Sequence, residues 1–197
     1  MRKVAKRATD IVLSLTGLIV LSPFFIFIML IIKIRMPEGP VFFIQERIGQ
    51  FGRPFKMIKF RTMVKDHSGV SVSVRGESRI TPTGAILRKF KIDELPEFIN
   101  VLMGQMSLVG PRPDVAGFAD KLVGEERKIL ELKPGITGPA TLVYANEEEI
   151  LASVSNPVKY NEEIIYPDKV RINLEYYYHN SFLGDIKIII RTFFFKK

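Results

Sequence analysis

Between Ile11 and Ile32 the chain reads IVLSLTGLIVLSPFFIFIMLII, 22 residues without a charge. As a straight helix this segment is about 33 Å long, close to the roughly 30 Å of bilayer hydrocarbon. The first reading is a spanning helix. A cleaved signal peptide fits less well, because the run is long and no A-x-A site follows it. Two details favour a different path. Pro23 sits at the centre, where it removes a backbone donor and crowds the carbonyl of Ile19. Ser22 can return a hydroxyl hydrogen bond to the carbonyl of Leu18 or Ile19 and ease the break. Both flanks are also basic: Arg2, Lys3, Lys6 and Arg7 precede the run, and Lys33 and Arg35 follow it. The positive-inside rule asks for a difference between the two ends. A helix broken at Ser22-Pro23 that enters and leaves by one leaflet satisfies both ends. Each arm, about 11 residues or roughly 16 Å, reaches the bilayer midplane. On the residues alone, a re-entrant anchor over residues 1–35 and a kinked spanning helix stand as equal alternatives.

The remaining length allows one further domain, residues 36–197. The chain has 197 residues, 47% of them apolar, which is enough for a packed core. It has no cysteine, which excludes disulfides, thiolate nucleophiles and zinc fingers. With only His67 and His179, a Ser-His-Asp relay is poorly supplied, and a metal here should be a hard cation held by oxygen. The net charge of +8 at first suggests nucleic acid or an anionic membrane. It is unevenly spread, however: residues 1–91 carry 17 Lys+Arg against 5 Asp+Glu. No aromatic-basic interleaving accompanies it, so no nucleic-acid partner is expected. At the other end, Ile186, Ile189, Ile190, Phe193 and Phe194 fall at helical spacing opposite Lys187 and Arg191. That predicts an amphipathic C-terminal helix, lying in the membrane interface or packed on the protein's own core. The terminal FFF followed by Lys196-Lys197 favours the interface.

Met36-Pro37-Glu38-Gly39-Pro40 breaks the chain after the anchor. Val41–Arg47 and Phe55–Arg61 are β-prone and joined by a turn-rich IGQFGRP, a predicted hairpin. Lys59 and Arg61 close its second strand, either as a solvated basic edge or as a phosphate grip. Residues 67–79 read as a mobile loop. Residues 83–104, TGAILRKFKIDELPEFINVLMG, predict two helical pieces, with Pro96 in the first turn of the second. Asp93 and Glu94 then lie near a helix start, where plain capping is one reading. Their neighbours suggest another. Arg88, Lys89 and Lys91 lie just before the pair, and the stiff turn Gly110-Pro111-Arg112-Pro113 presents a guanidinium soon after. Paired carboxylates among cations suit metal-assisted phosphoryl transfer. Lys133–Pro139 reads as another rigid turn, and Glu147–Glu149 as a solvated helix start. There is no GxxxxGK[ST] and no GxGxxG, so nucleotide binding through those phosphate loops is not expected.

Taken together, the basic start with Asp10, the Ser22-Pro23 break, GPVFFIQERIG, KFRTM, RITPTGAILRK, DELPEFINVLMGQMSLVGPRPD and KPGITG resemble the bacterial sugar transferase family, the monotopic polyprenyl-phosphate phosphoglycosyl transferases. The likeness runs along nearly the whole chain. It implies an α+β, mostly helical protein with a re-entrant anchor, a β-hairpin and interfacial amphipathic helices, at the cytoplasmic face of a bacterial inner membrane. It implies transfer of a sugar 1-phosphate from a UDP-sugar to undecaprenyl phosphate among the membrane lipids, with release of UMP. The minimal members that begin N-linked protein glycosylation are most similar, which makes UDP-diacetylbacillosamine the expected donor. The resemblance further implies that Asp93 is the nucleophile of a ping-pong route and that Glu94 completes a dyad with it. Both carboxylates would serve Mg²⁺, and Lys59, Arg61, Arg88 and Arg112 would hold donor phosphates. The competing class is a non-catalytic membrane-anchored scaffold that binds anionic lipid.

Overall fold

The computed structural model describes residues 2–64 and 79–194. The loop expected over residues 67–79 lies, except for Arg79, outside the described residues, as do Phe195 and the Lys196-Lys197 tail. The architecture is a small, mostly helical α+β fold with one β-hairpin, as the sequence implies.

Two helices build the N-terminal element, α1 (Arg2–Val20) and α2 (Ser22–Arg35). They meet at a 61° bend, and among the described residues no single helix is long and apolar enough to cross a membrane. The break is where Pro23 puts it. Pro23 occupies the first turn of α2, where its missing N–H costs nothing, and the Ser22 hydroxyl donates to the Ile19 carbonyl at 2.8 Å. Ile11, Val12, Ile19, Val20, Ile26, Phe27, Leu30 and Ile34 remain exposed. The opposite stripe of α2, Phe25, Ile28 and Ile32, packs on Met36, Phe60 and Leu87.

Two of the basic residues that precede the apolar run, Lys6 and Arg7, are bound into the globule. Lys6 donates to the Val109 carbonyl at 3.0 Å and pairs with Asp185 at 2.7 Å. Arg7 donates to the carbonyls of Val101 and Leu102 at 2.6 and 2.9 Å. Buried Asp10 accepts from Leu108 N–H at 3.0 Å and from the Ser107 hydroxyl at 3.1 Å. Both ends of the bent pair are thus fastened to the same globule.

The hairpin pairs β1 (Phe42–Ile48) antiparallel with β2 (Pro54–Phe60), one residue from the predicted limits. Then come α3 (Pro82–Lys89), capped by the Thr81 hydroxyl, and α4 (Glu97–Leu102). On α3, Leu87 faces inward while Ile86 and, just past its end, Phe90 stay exposed. β3 (Ser107–Val109) pairs in parallel with β4 (Gly135–Thr137), so part of the expected rigid turn after Lys133 is a strand. Short helices α5 (Pro139–Val143), α6 (Glu147–Ala152) and α7 (Pro157–Tyr160) lead through a π-turn into α8 (Tyr166–His179). Helix α9 (Phe182–Phe194) closes the chain and divides its apolar residues. Ile188 and Ile189 pack on Leu108, Val109 and Tyr176, while Leu183, Ile190 and Phe194 are exposed.

Candidate active site

Asp93 and Glu94 lie in a 3-10 turn, Ile92–Glu94, between α3 and α4 rather than in the first turn of α4. Lys91, just before them, is left-handed at φ 56°, which turns the chain out of α3. A lysine in that conformation costs on the order of 1–2 kcal/mol. Pro96 precedes α4, and Asn100 within α4 ties the helix to the hairpin: Ile58 N–H donates to its Oδ1 at 3.0 Å, and its Nδ2 donates to the Lys56 carbonyl at 2.7 Å. That registration brings Lys59 of β2 over the carboxylates. Its ammonium lies 3.0 Å from Glu94 Oε1 and 3.2 Å from Glu97 Oε1. Arg112 reaches in from the turn after β3 and grips Glu94 with both guanidinium nitrogens, Nη2 on Oε1 and Nη1 on Oε2.

The two members of the pair live in opposite fields. Burial works against the Glu94 charge, but Arg112 and then Lys59 outweigh it and hold that carboxyl well below its usual range. Asp93 has no such clamp. Burial, and then the Glu94 charge, push it up, and its Oδ1 is buried without a hydrogen-bond partner. Adjacent carboxylates driven apart in this way are suited to different roles: Glu94 is the anion fixed by cations, and Asp93 is the carboxyl whose Oδ1 is left without a hydrogen bond.

Of the other expected residues, Arg88 is at hand. It stands among the charges that act on Asp93, pairs with Glu148 at 2.8 Å, and keeps Nη1 buried and unpartnered. Glu148 is therefore not simply solvated, and Glu147 likewise pairs with Lys169 at 2.6 Å. Arg61 is placed differently. Its guanidinium donates to the carbonyls of Met36 and Glu38, clamping the chain that leaves α2, and the structure does not bring it to the carboxylates.

Glu97 escaped the sequence reading. The signal was there: it lies four residues after Asp93 and three after Glu94, the spacing that puts side chains on one helical face. Burial pushes its carboxyl up to about 7 despite Lys59. A raised pKa contributes stability fully present below the ordinary 4.5 and lost as pH climbs through 7. Asp114, raised by burial to about 6, acts in the same direction. The thermal midpoint should thus fall by a few degrees from pH 5 to pH 8, and Glu97→Gln should flatten most of that fall. An unaltered pH slope in the variant would contradict this assignment.

Magnesium keeps waters and substrate phosphates in its shell and takes one or two carboxylates from a protein. Among the described residues no group of three or more His, Cys, Asp or Glu could cage an ion. The unpartnered Asp93 Oδ1 beside Glu94 does fit an ion shared with a diphosphate.

The bacterial sugar transferase family model matches residues 1–196. The exopolysaccharide production protein PSS of Rhizobium leguminosarum bv. phaseoli is 38% identical over 200 residues, covering 96% of this chain and 93% of that protein. The UDP-glucose:undecaprenyl-phosphate glucose-1-phosphate transferase of Escherichia coli (strain K12) is 36% identical over 98% of this chain, but the match spans only 40% of that protein. The UDP-N-acetylgalactosamine-undecaprenyl-phosphate N-acetylgalactosaminephosphotransferase of Aeromonas hydrophila is 39% identical over 71% of this chain and 34% of its own length. The chain belongs to the bacterial sugar transferase family. It is an enzyme, a phosphoglycosyl transferase.

Proposed function

We propose that this protein transfers a sugar 1-phosphate from a UDP-sugar to undecaprenyl phosphate in two steps through Asp93. The observation that carries this reading is the buried, unpartnered Asp93 Oδ1 set among Lys59, Lys91 and Arg88. In the first step an Asp93 oxygen forms a bond to the β-phosphorus of the donor. The bond from that phosphorus to the bridging oxygen breaks, and its electrons leave with UMP. In the second, a phosphate oxygen of undecaprenyl phosphate attacks the same phosphorus and the Asp93 carboxylate departs. Arg88 and Lys59 steady the phosphate oxygens, and Arg112, held by Glu94, supplies a guanidinium suited to two-pronged phosphate binding. Magnesium held by Asp93 and Glu94 would neutralise diphosphate charge when bound. A lipid-binding scaffold would have no use for an unsatisfied buried carboxylate, which costs stability.

The same reading makes residues 1–35 a re-entrant anchor beneath a catalytic domain of residues 36–197, on the cytoplasmic face of a bacterial inner membrane. Its support is the docking of Asp10 on β3 and of Ile32 on the hairpin core, which keeps both ends on one side. From Asp10 to Val20 α1 rises about 15 Å, half the hydrocarbon. Because the chain lacks cysteine, single cysteines at residues 2 and 38 can be labelled cleanly. Both should react from the cytoplasmic side, and opposite-side labelling would overturn the anchor.

The donor read from the resemblance is UDP-diacetylbacillosamine, which places the reaction at the first membrane step of N-glycan assembly. Relatives are named for UDP-glucose and UDP-N-acetylgalactosamine. A panel of these three donors with undecaprenyl phosphate and Mg²⁺, scored by UMP release, should give highest turnover with the bacillosamine sugar. Preference for either of the others would correct the donor, and no release from any would overturn the transferase reading.

A further inference from the structure

The hairpin register sets Phe43 opposite Lys59, Gln45 opposite Met57 and Arg47 opposite Phe55. Cross-strand partners and alternate residues share one sheet face. Gln45, Arg47 and Lys59 therefore belong to the same face, the one from which Lys59 meets Glu94 and Glu97. Arg47 is fixed there through neutral oxygens. Its Nε and Nη2 donate to Gln45 Oε1 at 3.1 and 2.6 Å, and its Nη1 donates to the Pro113 carbonyl at 3.3 Å. Pro113 directly follows Arg112, and the two guanidinium groups repel one another; burial and this repulsion lower Arg47 to about 10, still charged at neutral pH. Arg112 already has Glu94 as its anion, whereas the hydrogen bonds of Arg47 go to neutral oxygens, so a phosphate reaching Arg47 gives its charge an anionic hydrogen-bonding partner.

The order of the cations along the site is informative. Lys59 meets Glu94, Arg112 grips the same carboxylate, and Arg47 donates to the carbonyl of Pro113, the residue after Arg112. On β1, Arg47 lies four residues beyond Phe43, the partner of Lys59. The cations thus form a row in the order Lys59, Arg112, Arg47 away from the carboxylate pair. A diphosphate whose β-phosphorus meets Asp93 extends its α-phosphate along that row. We propose that Arg47, locked by Gln45 and acting with Arg112, binds the α-phosphate of the nucleotide donor and receives the charge of UMP as the bridging bond breaks. This rests on the transferase reading above and adds to it a binding residue for the leaving group.

The test compares wild type, Arg47→Gln and Arg47→Lys in the full-length, membrane-reconstituted protein. It reads the KM for the UDP-sugar, the KM for undecaprenyl phosphate, and inhibition by UMP and by uridine. Loss of a charged hydrogen-bonding partner is worth about 1.5–3 kcal/mol, or roughly 10–100-fold. Arg47→Gln should therefore raise the donor KM and the UMP inhibition constant by about that factor, while leaving uridine inhibition and the acceptor KM nearly unchanged. Equal weakening of UMP and uridine, or no weakening of UMP, overturns the inference. If Arg47→Gln does not fold, Arg47→Lys decides. It keeps the charge but loses the two-pronged hold on Gln45, so it should show a smaller rise of the same kind, and an unchanged UMP constant overturns the inference. A wild type that releases no UMP overturns this and the transferase reading together. An active wild type matched by Arg47→Gln overturns this one alone.

Discussion

Replacing Asp93 with asparagine should reduce UMP release from the UDP-sugar by about 10³-fold or more, the scale seen when a covalent nucleophile is removed. The substitution keeps the size of the side chain and removes its charge and nucleophilicity. The folded state should not suffer, because Asp93 is the member of the pair that burial disfavours as an anion. A neutral amide at that place relieves desolvation and repulsion from Glu94. The expected signature is therefore an inactive protein with a thermal midpoint equal to or above that of wild type. An inactive protein that is also unfolded would leave catalysis and structure entangled, and Asp93→Glu then separates them, since it keeps the carboxylate but moves it by a methylene. Release at a near-normal rate by Asp93→Asn would remove Asp93 from the nucleophile's role.

Gly135→Ala should be as damaging by a different route. β3 and β4 come together over their glycines: Gly110 N–H donates to the Thr137 carbonyl at 2.9 Å, and Gly135 N–H to the Pro111 carbonyl at 2.8 Å. A Cβ built on Gly135 would lie 2.1 Å from Gly110 N, 2.5 Å from the Thr137 carbonyl oxygen and 2.7 Å from Gly110 Cα. All three are backbone atoms, so no rotamer change relieves the clash. The cost should reach at least the upper end of the about 1–3 kcal/mol of ordinary overpacking. Because Arg112 follows Pro111 directly, parting the strands also withdraws its grip on Glu94. Thermal denaturation of Gly135→Ala should show a large fall in midpoint with loss of turnover. The exposed Val123→Ala, a surface control, should stay within about 0.5 kcal/mol of wild type. Full stability in Gly135→Ala would contradict the strand contact.

The sequence was most legible where local chemistry decides the structure. Pro23 and Ser22 break the apolar run where expected, with the hydroxyl on one of the two carbonyls anticipated. Two β-prone runs joined by the turn-rich IGQFGRP locate the hairpin to within a residue. Contacts made at long range were not legible. Lys6 and Arg7 look like membrane-flanking charges, yet they are spent on partners about 100 to 180 positions away. Arg61 looks like a phosphate ligand because it follows Lys59 by two, but the strand has ended and its side chain turns to the carbonyls of Met36 and Glu38. Parallel pairing of three-residue strands leaves no periodicity to detect, so VGPRP and KPGITG read as separate turns until the backbone joins them. Glu97 was legible in part: its spacing from Asp93 and Glu94 was in the sequence, but its pairing with Lys59 comes from another element.

On the proposed route Asp93 carries the phospho-sugar between donor and acceptor. Intact-mass measurement of the purified protein, mixed with the turned-over UDP-sugar and Mg²⁺ but no undecaprenyl phosphate, tests it most directly. The expected result is a mass increase equal to one sugar phosphate, located on the peptide holding Asp93, absent in Asp93→Asn and discharged on adding undecaprenyl phosphate. A wild type that turns over with acceptor yet never gains that mass, or gains it on another residue, would contradict it.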